Sequence, residues 1–333
     1  MKRRGIGFGT GWQGSSYHFG YPDVSTVRLE LTEDHRFRLG VAAADLGQGI
    51  PETLAVIVSE ALGNVPPGWI DQVDPDTAAT PDGGSTGASR QTSSTGNAAL
   101  IAARNMVQLL KTIASEILDE PLEQITMQAG VPVGASGQPV TLAEIVEEAR
   151  RIGQPLVVLG TFEAPPTEAL DEHGQGYGVN QFSYATYIAE VEVDTDTGEV
   201  QVLQVSAFVD AGRIISRIGA EMQIEGGVVM GLGHTLTEDF KQQEGWPLTD
   251  SLTTYLIPTV CDAPSFIHTQ FVEHAAPAFG ELGAKGLAEL ALVPIAPAII
   301  SAVHDAIGIT ITELPATPER VLKALRARGT PVE

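Results

Sequence analysis

Hydrophobic residues alternate with polar ones over Val24 to Leu31 and again over Phe37 to Ala43, which predicts two strands joined by a Thr32-Glu33-Asp34-His35 turn. The clearest hairpin lies further on. Tyr184 to Val193 and Glu199 to Val209 both alternate, and Asp194-Thr195-Asp196-Thr197-Gly198 supplies the turn between them. Helical spacing takes over from Asn97 to Leu118, where Leu100, Ile101, Met106, Leu109, Leu110, Ile113 and Ile117 recur and predict an amphipathic helix. Further helices are predicted over Pro51 to Leu62, Leu142 to Ile152, Ile218 to Leu236, Pro294 to Ile307 and Thr317 to Arg328, the last with Pro318 in its first turn and Gly329 after its end. Ile70 to Val73 reads as a short strand ending in the Asp74-Pro75-Asp76 turn. Residues 120–140 are turn-rich, and Gln154 to Gly178, with Pro155, Pro165, Pro166 and several glycines, reads as an extended excursion and the best internal boundary. The sum is an α+β chain with mixed sheets and packed helices, divided near residue 155 into regions 1–155 and 156–333.

Composition narrows the functions such a fold can serve. A chain of 333 residues can bury a sizeable core. Its formal charge of −23 argues against nucleic acid and against an anionic membrane surface, both of which would repel it. The single Cys261 excludes an intrachain disulfide framework and cannot by itself hold an iron–sulfur cluster. The histidines show no HExxH or paired spacing, and His268 and His274 read as surface residues rather than metal ligands. No long apolar stretch at the start suggests a signal peptide. Ile295 to Val303 is apolar but short and contains Pro297, so it reads as a buried helix and the cytoplasm is the expected compartment. The chain has no internal repeat and no low-complexity tract.

The 36 glycines cluster where backbone must approach something closely. Gly5-Ile6-Gly7-Phe8-Gly9-Thr10-Gly11 superficially suggests a nucleotide loop, but no strand precedes it, no GK[ST] follows, and the glycines alternate as in a strand. Gly47-Gln48-Gly49 and Gly83-Gly84-Ser85-Thr86-Gly87-Ala88-Ser89 offer small side chains, hydroxyls and a backbone open to a flat, hydrogen-bonding ligand; a tight turn is the plain alternative for each. Near the C-terminus, Gly283-Ala284-Lys285-Gly286-Leu287-Ala288-Glu289 delivers one carboxylate into an apolar segment. Desolvation there would raise its pKa towards the range of a general base. The plain alternative for Glu289 is an acid at a helix N-terminus.

Four segments in register carry a resemblance. Ala44-Asp45-Leu46-Gly47-Gln48-Gly49, the Pro81 to Thr92 run with Gly96-Asn97, Met222-Gln223-Ile224-Glu225-Gly226-Gly227 with Met230-Gly231-Leu232-Gly233, and Gly283 to Glu289 resemble the C-terminal half of the large molybdenum subunit of the xanthine oxidase family. The likeness runs from Gly5 to about Leu325. It implies a molybdopterin-binding fold, with regions 1–155 and 156–333 as two molybdopterin-binding subdomains. Gln48 and Gly49 would contact the pterin; Gly87, Ala88, Ser89 and Gln91 would lie on the loop beneath the metal and pyranopterin. Gly286 would belong to the cofactor-binding set. Gln223 matches a glutamine beside the molybdenum, and Glu289 matches the catalytic glutamate, whose spacing to Asp305 also fits. The residue before that glutamate is usually glycine, and Ala288 departs from the pattern.

The implied activity is hydroxylation of an N-heterocycle of purine or nicotinate type, or of an aldehyde, with oxygen drawn from water and Glu289 as general base. The implied cofactor is molybdenum-molybdopterin, with the cytosine dinucleotide as one form of the pterin. The family's GGGFG and RGFG-like loops do not occur in this sequence. Because Met1 opens a strand, the chain is expected to be a gene product of its own, a split medium subunit like that of nicotinate dehydrogenase. The expected partners are a chain with the other half of the molybdenum site, a [2Fe–2S] subunit and a flavin (FAD) subunit, besides the small-molecule substrate. A second expectation is a non-catalytic paralogue serving assembly or cofactor handling; Glu289 and Gln223 both being present favours the enzyme.

Overall fold

The computed structural model describes residues 1–273 and 278–327. In chain order the elements are β1 (Lys2–Gly14), β2 (Val24–Leu31), β3 (Phe37–Gly40), α1 (Ile50–Ala61), β4 (Ile70–Val73), α2 (Gly96–Leu118), β5 (Thr126–Gln128), β6 (Val131–Val133), α3 (Leu142–Ile152) and β7 (Val157–Glu163). There follow β8 (Phe182–Asp194), β9 (Val200–Asp210), α4 (Arg217–Leu236), β10 (Gln242–Gln243), β11 (Trp246–Pro247), β12 (Phe266–Phe271), α5 (Ile295–Ile307) and α6 (Pro318–Ala327). The α+β character and mixed sheets expected from the pattern are present. His274, Arg328 and Gly329 lie outside the described residues.

Two compact units are formed, and neither is one continuous stretch. The first comprises Met1–Gln13 with residues 182–273 and 287–327; the second comprises Gly14–Gln181 with residues 278–286. The boundary anticipated near residue 155 falls inside the second unit, between α3 and β7.

In the first unit, a four-stranded sheet has the order β1-β8-β9-β12. The predicted hairpin pairs antiparallel from Tyr184 opposite Asp210 to Val193 opposite Val200. One face of this sheet buries Tyr187, Ala189, Val191, Val205 and Ala207 against α4 and α5. The alternating glycines of β1 have a packing cause. A Cβ on Gly7 would stand 2.1 Å from Ala302 N and one on Gly9 2.4 Å from Pro294 O, so only glycine lets α5 lie directly on this strand. The run Leu290–Ile307 is long and apolar enough to cross a membrane by length and composition. Here it is a 3₁₀ turn (Leu290–Leu292) followed by α5, half of it buried in the unit's core. Strand β12 was not anticipated. It is a mostly exposed edge strand, paired parallel to β9 after the crossover through α4, so it carries little alternation to read.

In the second unit, the sheet order is β4-β3-β2-β7, with β2 antiparallel to both β3 and β7 and β4 parallel to β3. β7 corrects the reading of Gln154 to Gly178 as an excursion: its first part is a strand. Gly160 lies under α2, where a Cβ would be 2.2 Å from Ala98 O and from Ala102 N. The run Ala98, Ala99, Ala102 and Ala103 is wholly buried for the same reason. Small residues on both surfaces bring helix and strand together. The N-terminus of α3 carries a capping box: Thr141 Oγ1 accepts from Glu144 N at 3.2 Å, and Glu144 Oε2 accepts from Thr141 N at 2.7 Å. A second small hairpin, β5–β6, occupies the turn-rich stretch after α2.

Candidate functional site

In the second unit, the segment Ala44–Gly49 turns the chain from β3 into α1. Asp45 Oδ1 accepts from the backbone N–H groups of Gly47 and Gly49 at 2.9 and 3.2 Å, which winds the loop tightly. Gly49 adopts φ 72° at the N-cap of α1, a conformation that favours glycine. Gln48 folds back on the same loop: its Oε1 accepts from Leu46 N at 2.5 Å and its Nε2 donates to Ala44 O at 3.0 Å. The Gln48 amide therefore shapes the loop. Over Gly47, a Cβ would meet nothing within 4 Å, so the backbone there is open to a ligand.

The Gly87–Gln91 segment is held from beneath. Ala88 and Ser89 both occupy the left-handed region, φ 52° and 49°, which non-glycine residues adopt only under constraint. Gly87 is exposed, and a Cβ there would again meet nothing within 4 Å. Gln91 is buried, donating from Nε2 to Thr86 Oγ1 at 3.0 Å and accepting at Oε1 from Thr95 Oγ1. Its amide ties the loop to the π-helical turn Gln91–Thr95 that leads into α2. Gly286 is buried directly under this loop: a Cβ on it would lie 2.6 Å from the Ser89 Cβ and 2.7 Å from the Ser15 Cβ. Gly286 thus makes room for Ser89.

Sequence reasoning missed the pair that anchors this loop. Arg90 is fully buried and Asp23 nearly so, and Arg90 Nη2 sits 2.6 Å from Asp23 Oδ1. The guanidinium also lies over the Tyr17 ring, 4.8 Å from its centroid. Desolvation pushes the Asp23 carboxyl upward. The hydrogen bonds from Arg90 and Ser16, the guanidinium charge and the Tyr17 amide outweigh it and hold the carboxyl below its ordinary value. The available signal was one arginine inside a loop of glycine, alanine and hydroxyl residues.

In the first unit, Gln223 lies half-buried on α4, beside the fully buried Ile224. Around it Val228 is buried, whereas Ile218 and Met222 are exposed. Helix α4 approaches the Leu290–Leu292 turn and α5 through glycines, since a Cβ on Gly227 would be 2.4 Å from the Ala291 Cβ and one on Gly231 1.8 Å from Ile295 Cγ2.

Glu289 stands at the start of that turn. It is exposed, which corrects the expectation of a desolvated carboxylate: the chain buries Leu290 and Ala291 instead. Glu289 does stand at the N-cap of the turn, as the plain reading has it, with no side-chain hydrogen bond capping the turn. Its Oε2 accepts from Gln13 Nε2 at 3.0 Å. The backbone just after it is anchored by the buried Tyr187 hydroxyl, which donates to Ala291 O at 2.9 Å. Asp305 has a separate role, accepting from the Ile6 amide of β1 at 2.9 Å.

Residues 1–264 match the molybdopterin cofactor-binding domain family. The chain is 33% identical over 300 residues to the gamma subunit of the 6-hydroxypseudooxynicotine dehydrogenase complex of Paenarthrobacter nicotinovorans, covering 89% of this chain and 37% of that one. It is 32% identical over 330 residues to a probable xanthine dehydrogenase subunit of Bacillus subtilis, covering 98% and 43%. Among solved structures, the aldehyde oxidoreductase from Desulfovibrio gigas superposes with a TM-score of 0.81 at 29% identity, covering 98% of this chain and 33% of that one. The chain belongs to the xanthine oxidase family, as a molybdopterin cofactor-binding domain of it. It spans between a third and about two-fifths of the length of these relatives.

The residues present fit a molybdopterin. Over Gly47 and Gly87 the backbone is open, as a flat bicycle requires, while the side chains of Asp45 and Gln91 are engaged within their own loops. Among the described residues no cluster of three His, Cys, Asp or Glu side chains is arranged to ligate a metal ion.

Proposed function

We propose that this chain is the molybdopterin-binding subunit of a multi-subunit hydroxylase that acts on an N-heterocycle of purine or nicotinate type, or on an aldehyde, with Glu289 as general base. The observation that carries the reading is the Glu289 carboxylate itself: exposed, held by Gln13 and followed by the buried Leu290 and Ala291, the latter's carbonyl held by Tyr187. The overall change converts a carbon–hydrogen bond and water into a carbon–hydroxyl group, two electrons and two protons. When bound, the molybdenum cofactor supplies the centre that accepts the two electrons. Glu289 takes a proton from the water-derived nucleophile as the carbon–oxygen bond forms. Gln13 holds one carboxylate oxygen, which fixes the direction of that transfer. Gln223 offers an amide donor to the cofactor. Gly47, Gly49 and the Gly87–Ser89 backbone would hold the pterin, whose cytosine dinucleotide is one form. The remaining half of the molybdenum site, a [2Fe–2S] chain and an FAD chain are assigned to partners, in a cytoplasmic complex.

Glu289→Gln tests this reading, because it preserves shape and hydrogen bonding while removing proton affinity. General-base loss lowers the reductive half-reaction by about 10²–10⁴-fold, with molybdenum and pterin content unchanged. A metal-replete variant within about threefold of the wild-type rate, well short of that range, defeats the assignment. A complex that holds cofactor but shows no turnover even in the wild type supports the second reading, a non-catalytic paralogue that serves assembly or cofactor handling.

A further inference from the structure

One carboxylate beneath the Gly87–Ser89 loop gathers an unusual number of donors. Asp23 Oδ1 accepts from Arg90 Nε at 2.8 Å and from Arg90 Nη2 at 2.6 Å. Asp23 Oδ2 accepts from Ser16 Oγ, from Tyr17 N at 3.0 Å and from Ser94 Oγ at 3.1 Å. The rest of the guanidinium is engaged as well, donating to Gly83 O at 2.6 Å and Val24 O at 3.0 Å. A single ion pair therefore joins the segment before β2, the glycine-rich loop and the π-helical turn.

A buried charge pair is a weak source of stability, since well-packed apolar groups of the same size often do as well. What it supplies is direction, through the rigid fork of the guanidinium. The direction here falls on strained backbone. Arg90 immediately follows Ala88 and Ser89, both of them left-handed non-glycine residues. Ser16, whose side chain is on Asp23, also donates its backbone N–H to Ala88 O at 3.0 Å. The network thus grips the left-handed pair from both ends. Gly286 passes beneath Ser89 with no space for a side chain and closes the third direction.

We propose that Asp23 and Arg90 are positioning residues for the molybdopterin: they hold Ala88 and Ser89 in the left-handed conformation that the cofactor-facing loop requires. This rests on the reading that the Gly87–Ser89 loop lies against the cofactor. Without the pair, Ala88 and Ser89 relax towards ordinary backbone regions and the loop surface above them changes shape.

The test uses the full chain in complex with its partner chains, produced with cofactor maturation, and reads two quantities besides turnover. They are hydrogen exchange over residues 84–91 and the molybdenum and pterin content. Asp23→Asn should raise exchange at 84–91 while leaving the buried residues of α2 protected. It should lower cofactor content about tenfold, as when the competent loop conformer drops to about a tenth of the population. Adding Ala88→Gly removes the penalty on the left-handed region, and should restore cofactor content to within about threefold. Loss of general stability alone would not be rescued in this way. If Asp23→Asn fails to fold, Ser94→Ala, which removes one donor to Oδ2 and keeps the ion pair, should move both quantities in the same direction. Cofactor retained in full while the loop exchanges faster, cofactor lost with loop exchange unchanged, or no rescue by Ala88→Gly would each overturn the proposal. In the wild-type complex, cofactor loading should itself protect residues 86–89. Full loading without that protection removes the loop reading and this proposal with it, whereas a cofactor-protected loop indifferent to Asp23→Asn refutes the proposal alone.

Discussion

Adding one methyl group at Gly7 should unsettle the first unit, although the residue sits on a strand whose alternate side chains, Ile6 and Phe8, face solvent. The new Cβ of Gly7→Ala would lie 2.1 Å from Ala302 N, 2.5 Å from Ser301 C and 2.6 Å from Ala298 O. All three are helix backbone, so no side chain can rotate away. An ordinary carbon contact needs ~3.5 Å, and α5 would have to retreat by roughly 1.5 Å to restore it. Overpacking of this kind costs about 1–3 kcal/mol, and an all-backbone clash belongs at the upper end of that range. Replacing glycine by alanine in a strand returns about 0.5–1 kcal/mol of conformational entropy. The net loss is about 2 kcal/mol. With a urea m-value of about 3 kcal/mol/M, the midpoint should fall by about 0.7 M. A midpoint within about 0.2 M of wild type would show that the glycine face of β1 is not what allows α5 to dock. Gly87→Leu is the matched control, because a Cβ there meets nothing within 4 Å. It should change stability by no more than about 0.5 kcal/mol while reducing the cofactor content of the complex, and full cofactor retention would remove Gly87 from the binding surface.

Ala88→Leu should abolish cofactor retention in the complex while the far-ultraviolet circular dichroism stays native; an active, metal-replete variant counts against the loop assignment. Thr141→Ala removes half of the α3 capping box and should cost about 1 kcal/mol in thermal or urea unfolding, with no effect on cofactor content. The Asp23 carboxyl is held below its ordinary value, so its contribution to stability is complete above about pH 4 and is lost as the pH falls through the lower, folded-state value. Asp23→Asn should therefore flatten the acid side of the stability–pH curve and leave its neutral side parallel to wild type; an unchanged acid limb would show that Asp23 is not held below its ordinary value.

The sequence by itself determined what depends on neighbours a few residues apart. The β8–β9 hairpin was legible because alternation and the Asp194–Gly198 turn lie in one continuous stretch. The amphipathic α2 and α3 were legible because helical spacing repeats within each of them. The four glycine- and glutamine-bearing segments were legible as a family pattern for the same reason, being short and contiguous. Tertiary structure alone decided which residues meet across the chain. β7 forms because β2 offers it an edge from Val24 to Glu30, and β12 because α4 returns the chain parallel to β9. Arg90 reaches Asp23 across 67 residues, and Gly286 slides under Ser89 because both lack the bulk to prevent it. Glu289 illustrates the limit most clearly. Its apolar neighbours in sequence suggested burial, but a turn hides Leu290 and Ala291 and leaves the carboxylate outside. Periodicity fixes which face an element presents, whereas burial is set by what packs on that face, and that information lies in distant residues.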